Sequence, residues 1–228
     1  MRMNVLDTLR GGLVVSCQPV DDGPMDRPGI VAAMAAAAVA GGAAAVRIEG
    51  VDNLAAARAA VDVPIIGLLK RDLPDSPVRI TPYLDDVRAL IDAGADIVAY
   101  DATDRTRPAP ASALAAAIRG AGRLAMADCA TLADGRRALA DGAAILGTTL
   151  SGYTDETAGR EGMDTDLIAA FRGLDAFVMA EGRVNTPALA RAAMAAGADA
   201  VTVGTALTRL EHVTGWFRDA LHDGAARR

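Results

Sequence analysis

Pro64-Ile65-Ile66-Gly67-Leu68-Leu69-Lys70-Arg71-Asp72 is an apolar run that stops abruptly at a lysine, an arginine and an aspartate. Its apolar residues stand at consecutive rather than alternate positions, and a proline bounds them on the left. That is the pattern of a short strand covered on both faces, which belongs to a buried parallel sheet. At the carboxyl end of such a strand, Lys70 reaches a rim beside low-dielectric walls. There the pKa of a primary amine falls from ~10.4 toward the ~7–8 that suits a general base at neutral pH. The stretch also admits a plainer reading, a rim lysine with its stem on apolar surface and its ammonium in water; the rest of the chain decides between them.

The same unit recurs on both sides of this strand. Apolar, strand-like runs occupy 13–19, 45–50, 96–102, 124–129, 144–150, 176–182 and 200–205. Helical spacing is predicted between them over 28–40, 53–60, 80–93, 112–119, 132–140, from about 164, over 187–196 and over 208–221, with a short opening helix over 4–10. Three helix exits share one wording, Ala93-Gly94-Ala95-Asp96, Asp141-Gly142-Ala143-Ala144 and Ala196-Gly197-Ala198-Asp199. Each sets a glycine where a left-handed cap is needed just before a strand. Eight strand–helix units in 228 residues predict an α/β fold, a (β/α)8 TIM barrel, as one domain over 1–228 with a short N-terminal helix ahead of the first strand. An open doubly wound sheet would carry Gly-x-Gly-x-x-Gly after an early strand, and none is present.

Composition narrows the function classes. Hydrophobic residues make up 52% and aromatics 3%, so the core is built mainly from alanine, valine, leucine and isoleucine. A formal net charge of -6 argues against a sequence-independent nucleic-acid binder, so any anion has to be bound locally. Cys17 and Cys129 lie far apart, and no charged-then-apolar leader opens the chain, which points to the cytoplasm. The alanine-rich 30–48 segment is interrupted by Gly41-Gly42 and followed by Arg47 and Glu49, so no membrane span is expected.

In a barrel of this kind the chemistry sits at the carboxyl ends of the strands. The polar residues there are Gln18, Arg47, Glu49, Lys70, Asp101, Asp128, Thr149 and Glu181, together with Gly204. They supply a base, acids, cations and amide donors. His212 and His222 are late and helical and offer no ligand spacing for zinc or iron, so no metal and no cofactor is expected. The loops after strands seven and eight, Glu181-Gly182-Arg183 and Val203-Gly204-Thr205, stand where such barrels hold phosphate. Glycine lets backbone amides approach the anion, and Arg183 or Arg209 adds charge; the same glycines would also serve a tight turn. Cys17 and Cys129 have no histidine near them in this layout and read as packing residues. Asp104, Arg105 and Arg107 read as a self-paired loop, although a rim arginine can order a lid. Leu210, Val213, Trp216, Phe217 and Leu221 group on adjoining faces of the last helix, which points to a homodimer.

Several phrases together resemble the N-acetylmannosamine-6-phosphate 2-epimerases of sialic acid breakdown. They are Val15-Ser16-Cys17-Gln18-Pro19, Val46-Arg47-Ile48-Glu49-Gly50, Lys70-Arg71-Asp72 with Ser76-Pro77-Val78-Arg79-Ile80-Thr81, Gly147-Thr148-Thr149-Leu150-Ser151-Gly152-Tyr153-Thr154, Ala180-Glu181-Gly182-Arg183 and Thr208-Arg209-Leu210-Glu211-His212. The likeness covers nearly the whole chain. It implies a lysine base at Lys70 and a carboxylate partner at Glu181, with Gln18, Arg47, Asp128 and Arg209 contacting a phosphosugar. A Schiff-base phosphosugar aldolase, or a non-catalytic phosphosugar-binding barrel, remains the alternative reading of the residues themselves.

Overall fold

The predicted strands assemble into a closed ring of eight parallel strands in sequence order. The structure, a computed structural model, describes residues 4–225. The strands are β1 (Leu13–Cys17), β2 (Ala45–Glu49), β3 (Ile65–Leu68), β4 (Ile97–Asp101), β5 (Leu124–Asp128), β6 (Ile145–Gly147), β7 (Phe177–Ala180) and β8 (Ala200–Val203). The helices are α1 (Val5–Leu9), α2 (Pro28–Ala40), α3 (Val51–Ala60), α4 (Leu84–Asp92), α5 (Ala111–Gly120), α6 (Leu132–Ala140), α7 (Thr165–Arg172), α8 (Pro187–Ala195), α9 (Thr205–Thr208) and α10 (Leu210–Ala225). The TIM-barrel expectation holds.

Consecutive apolar residues are needed because each strand faces two cores. Period-two alternation sends Val15, Val46, Ile65, Val98 and Val178 outward against the helices. Val14, Ala45, Ile66, Ile97, Met126, Ile145, Phe177 and Ala200 point inward and fill the barrel. Helix α1 adds Leu9, with Val5 and Leu6, to that inner cluster and so plugs the amino end of the barrel. Continuing the same alternation upward, inward positions become polar: Ser16, Arg47 and Thr202 in one layer, and Lys70, Asp101, Asp128 and Glu181 at the carboxyl end. Chemistry therefore begins where the apolar filling stops. Gly94, Gly142 and Gly197 have φ of +103°, +88° and +109°, the left-handed caps predicted from the repeated wording.

Three expectations are corrected. Residues 80–83 are not helical. Pro82 disfavours the α region for the residue before it, and Thr81 sits at φ +48°. The segment folds back on β3 instead, with Ile80 bridging Lys70 in antiparallel fashion and Thr81 donating its backbone N–H to Leu69 O at 2.7 Å. The sixth strand stops at Gly147 rather than 150, because Thr148 turns its hydroxyl to Glu181 O at 2.8 Å. The closing helix is two pieces, α9 and α10, broken at Arg209 (φ -107°, ψ 82°), where Arg209 Nε donates to Gln18 O at 3.1 Å.

Candidate active site

Nine of the residues singled out from the sequence border one cavity of about 260 Å³ at the carboxyl end of the barrel: Gln18, Lys70, Thr149, Glu181, Gly182, Arg183, Gly204, Thr205 and Arg209. Arg47 and Asp128 lie beneath it, bonded to Glu181 and Thr149. In a closed ring of eight, β3 and β7 stand four strands apart, so Lys70 and Glu181 face each other across the mouth.

The floor is a charged cluster. Arg47 donates to Asp128 through two nitrogens, Nη1 to Oδ1 at 3.1 Å and Nη2 to Oδ2 at 2.6 Å, and through Nη1 to Glu181 Oε2 at 2.8 Å. Arg47 and Asp128 are fully buried, whereas the Glu181 side chain keeps 13% of its surface exposed. In this geometry the Arg47 guanidinium holds both carboxylates together beneath the cavity. Thr149 Oγ1 reaches Asp128 Oδ1 at 2.7 Å and Glu181 Oε2 at 3.2 Å. One guanidinium shared by two buried carboxylates cannot neutralise both. Burial accordingly raises the Glu181 pKa to about 7, and Asp128 adds to the rise against the opposing pull of Arg47. Glu181 is therefore a carboxyl able to give or take a proton near neutrality.

Opposite it, Lys70 is held at the edge of the antiparallel bridge to Ile80, and its backbone N–H donates to Glu49 Oε1 at 3.1 Å. Its side chain is 19% exposed, and Nζ stands 4.0 Å from Asp21 Oδ1. Burial lowers its pKa; Asp21 and Glu49 oppose that, and Arg209 and Arg47 add to it. The strand-end expectation of a softened amine holds in direction.

The side of the cavity over β7, β8 and β1 is suited to an anion. Among the described residues, Arg183 donates to Gly162 O (2.6 Å) and Ser151 O (2.8 Å) and lies 5.0 Å over the Tyr153 ring, while Arg209 donates to Gln18 O. Their partners are carbonyls and a ring rather than carboxylates, so their charge is uncompensated. The backbone N–H groups of Gly204, Thr205 and Ala206 meet no acceptor among the described residues. Gly204 is set by space, since an added Cβ would stand 3.3 Å from Ser16 Cβ. Gly182 is set by backbone, at φ +112°, and Arg183 follows at +55°, strain of the kind that gathers at functional sites.

Sequence reasoning did not single out Tyr153, Asn185 or Thr202, which also border the cavity. Thr202 was legible, two residues before Gly204 on the inward face of β8. Tyr153 and Asn185 sit in loops with no period to betray them. Cys17 and Cys129 are free and buried; burial pushes the Cys17 thiol up to about 12 and the Cys129 thiol well above its ordinary value, so neither is a nucleophile at neutral pH. Arg105 and Arg107 pair with Asp101 at 2.6 and 3.0 Å, and His212 and His222 are exposed.

The sequence profile of the NanE family, described as "Putative N-acetylmannosamine-6-phosphate epimerase", matches residues 31–223. The chain belongs to that family. It is 58% identical over 217 residues to a "Putative N-acetylmannosamine-6-phosphate 2-epimerase" of Actinobacillus pleuropneumoniae, covering 95% of this chain and 94% of the relative. It is equally similar, 58% over 221 residues, to the "Bifunctional enzyme NanE/NanK" of Brucella melitensis; that match takes in 97% of this chain but spans only 43% of the relative's length. Among solved structures, the N-acetylmannosamine-6-phosphate 2-epimerase from Clostridium perfringens superposes with a TM-score of 0.93 at 38% identity, covering 96% of this chain and 97% of that one. A thiamine phosphate pyrophosphorylase from Pyrococcus furiosus, at TM-score 0.60 and 18% identity, shares the barrel alone.

Proposed function

We infer that this NanE-family chain is an isomerase that interconverts N-acetylmannosamine 6-phosphate and N-acetylglucosamine 6-phosphate by removing and returning the proton at C2, a step of sialic acid and amino sugar breakdown. The observation that carries the chemistry is the facing pair Lys70 and Glu181, one amine with a lowered pKa and one carboxyl with a raised pKa, across a cavity whose other wall is cationic.

In the open-chain sugar the C2 proton is alpha to the C1 carbonyl. Lys70, as the free amine, takes that proton; the electron pair moves onto O1, and Glu181 in its acid form protonates or hydrogen-bonds the developing enolate oxygen. Once the other face of the enol is turned to it, the Lys70 ammonium returns a proton to C2 while Glu181 takes back the proton on O1, which gives the epimer and restores both groups. Gln18 holds a substrate oxygen from the rim, and Arg47, Asp128 and Thr149 hold Glu181 in place. The phosphate lies against the amides at Gly204 and Thr205, the Gly182 turn, Arg183 and Arg209. Binding energy from this unreacting end fixes C2 between the two groups, so the unphosphorylated sugar is expected to be a poor substrate.

Among the described residues no helix is long and apolar enough to cross a membrane, which fits a cytoplasmic enzyme, and the local siting of the cations fits a phosphosugar ligand rather than a nucleic acid. Phe217 and Leu221 on α10 are 72% and 75% exposed, and Leu210 62%, an apolar face that supports a homodimer. Proton NMR in deuterated water with N-acetylmannosamine 6-phosphate tests the activity. Loss of the C2 proton signal with appearance of the glucosamine epimer is expected; no exchange at C2 overturns the reading, and borohydride trapping on Lys70 with substrate would replace it by Schiff-base chemistry.

A further inference from the structure

Between taking a proton from one face of C2 and returning one to the other, Lys70 is an ammonium in a poor place for a charge. Its side chain is 19% exposed, and burial, Arg209 and Arg47 all disfavour the charged form. The carboxylates around it are mostly engaged elsewhere. Glu49 uses Oε1 to accept the Lys70 backbone N–H at 3.1 Å. Glu181 lies across the mouth, where Arg47 and Thr149 hold its Oε2 at 2.8 and 3.2 Å. On the other side of Lys70, Arg79, Asp101 and Arg105 border a neighbouring space; Asp101 is held by Arg105 and Arg107 at 2.6 and 3.0 Å, and Arg79 by Asp72 at 2.6 Å. Asp21 differs from all of these. Its Oδ1 stands 4.0 Å from Lys70 Nζ, its side chain is 61% exposed, and among the described residues it makes no other ion pair. The loop between β1 and α2 that carries it is fastened on both sides of Asp21. Gly23 donates its N–H to Val20 O at 2.9 Å, and Asp22 donates its N–H to Asp26 Oδ2 at 3.1 Å. Asn53 of α3 ties that loop to β2, donating to Asp26 Oδ1 at 3.5 Å and to Glu49 O at 3.1 Å.

We propose that Asp21 is a positioning residue for the reaction, the counter-charge that holds the Lys70 ammonium at the mouth between its two proton transfers and sets how readily that proton is given up. At 4.0 Å it acts through space rather than by a hydrogen bond, so it supports the ammonium without fixing it. The proposal rests on the epimerase reading and deepens it.

The test is kcat/KM for N-acetylmannosamine 6-phosphate as a function of pH, followed by NMR, for the parent, Asp21→Asn, Asp21→Lys and Asp21→Glu, each checked for folding by circular dichroism. Turnover needs Lys70 as the free amine and Glu181 as the acid, so the rate falls on both flanks of the profile. On the acid flank the rate follows the fraction of Lys70 that has lost its proton; on the alkaline flank Lys70 is already free. Removing the Asp21 charge disfavours the ammonium and so raises the free fraction on the acid flank alone. A unit charge 4 Å away through water is worth about three- to fivefold in that equilibrium. The variant-to-parent ratio of kcat/KM for Asp21→Asn is therefore expected to be about three- to fivefold higher on the acid flank than on the alkaline flank. The substrate phosphate loses its second proton at ~6 with every protein and cancels from the ratio. Asp21→Lys is expected to enlarge the difference between the flanks, and Asp21→Glu to keep the ratio level. A merely structural role would scale kcat/KM equally at every pH. A level ratio in the folded Asn and Lys variants, with the parent active, overturns the role of Asp21 alone. No turnover of N-acetylmannosamine 6-phosphate by the parent overturns it together with the epimerase reading.

Discussion

Replacing Glu181 by Gln should move activity and stability in opposite directions, and the stability change should depend on pH. The Glu181 carboxyl titrates at about 7 in the fold against a reference value of 4.5. Below both values the folded and unfolded chains hold the same proton and the group is silent. Between them the folded state holds a proton that the unfolded state has lost, so stability falls as pH rises through this window, and above about 7 the full penalty is present. Integrating those values, the Glu181 contribution to stability becomes less favourable by roughly 2 kcal/mol between pH 5 and pH 8. Gln is neutral at every pH and carries no such penalty, and titrating groups that do not interact with Glu181 are common to both proteins and drop out of the difference. The gap Tm(variant) minus Tm(parent) should therefore be more positive at pH 8 than at pH 5 by about 4–8 °C for a chain of this size. Scanning calorimetry of both proteins at the two pH values measures it. Turnover, by contrast, should fall more than tenfold, which is ~1.4 kcal/mol or more of transition-state stabilisation. A Tm gap that does not change with pH would mean that Glu181 is an ordinary carboxylate, and turnover within tenfold of the parent would leave it a positioning residue only.

Lys70→Ala should abolish C2 exchange with the circular dichroism of the parent retained, since its side chain stands at the rim of the barrel and borders the cavity; full activity in the folded variant would remove Lys70 from the mechanism. Arg47→Met strands two buried carboxylates and should cost about 3–5 kcal/mol, read as a Tm drop of roughly 10 °C; a drop under 2 °C would mean that the cluster is not held by Arg47. Arg209→Gln should raise the dissociation constant for phosphosugar and for inorganic phosphate about tenfold or more, the loss of a charge-assisted hydrogen bond worth ~1.5–3 kcal/mol, and Gly204→Ala, whose added Cβ would press on Ser16 Cβ at 3.3 Å and shift the amides beside it, should weaken both ligands as well; equal affinities by calorimetry would place the phosphate elsewhere on the rim. Light scattering at micromolar concentration should show a dimer, and Phe217→Asp with Leu221→Asp should return it to a monomer; a monomeric parent refutes the α10 interface.

Much of this protein is legible in the chain because barrel strands repeat a local rule. Two-sided burial writes itself as consecutive apolar residues, and the first polar residue after each run, such as Lys70, Asp128 or Glu181, falls at the carboxyl rim by period alone. The capping glycines at 94, 142 and 197 mark each return to the sheet for an equally local reason, the left-handed backbone they permit. Position on the rim does not, however, tell depth or partners. Arg47 and Lys70 look alike in sequence, a cation on the inward-facing positions of an apolar run. Only barrel closure brings Arg47 under Asp128 and Glu181, 81 and 134 residues away, and leaves Lys70 facing the cavity. The same closure decides the pKa of Glu181, because desolvation and shared charge are properties of what surrounds a group in three dimensions. Local backbone restraint explains the failed helix over 80–83: Pro82 outweighs apolar spacing there, and the residues freed from the helix fold back to wall the space beside Lys70.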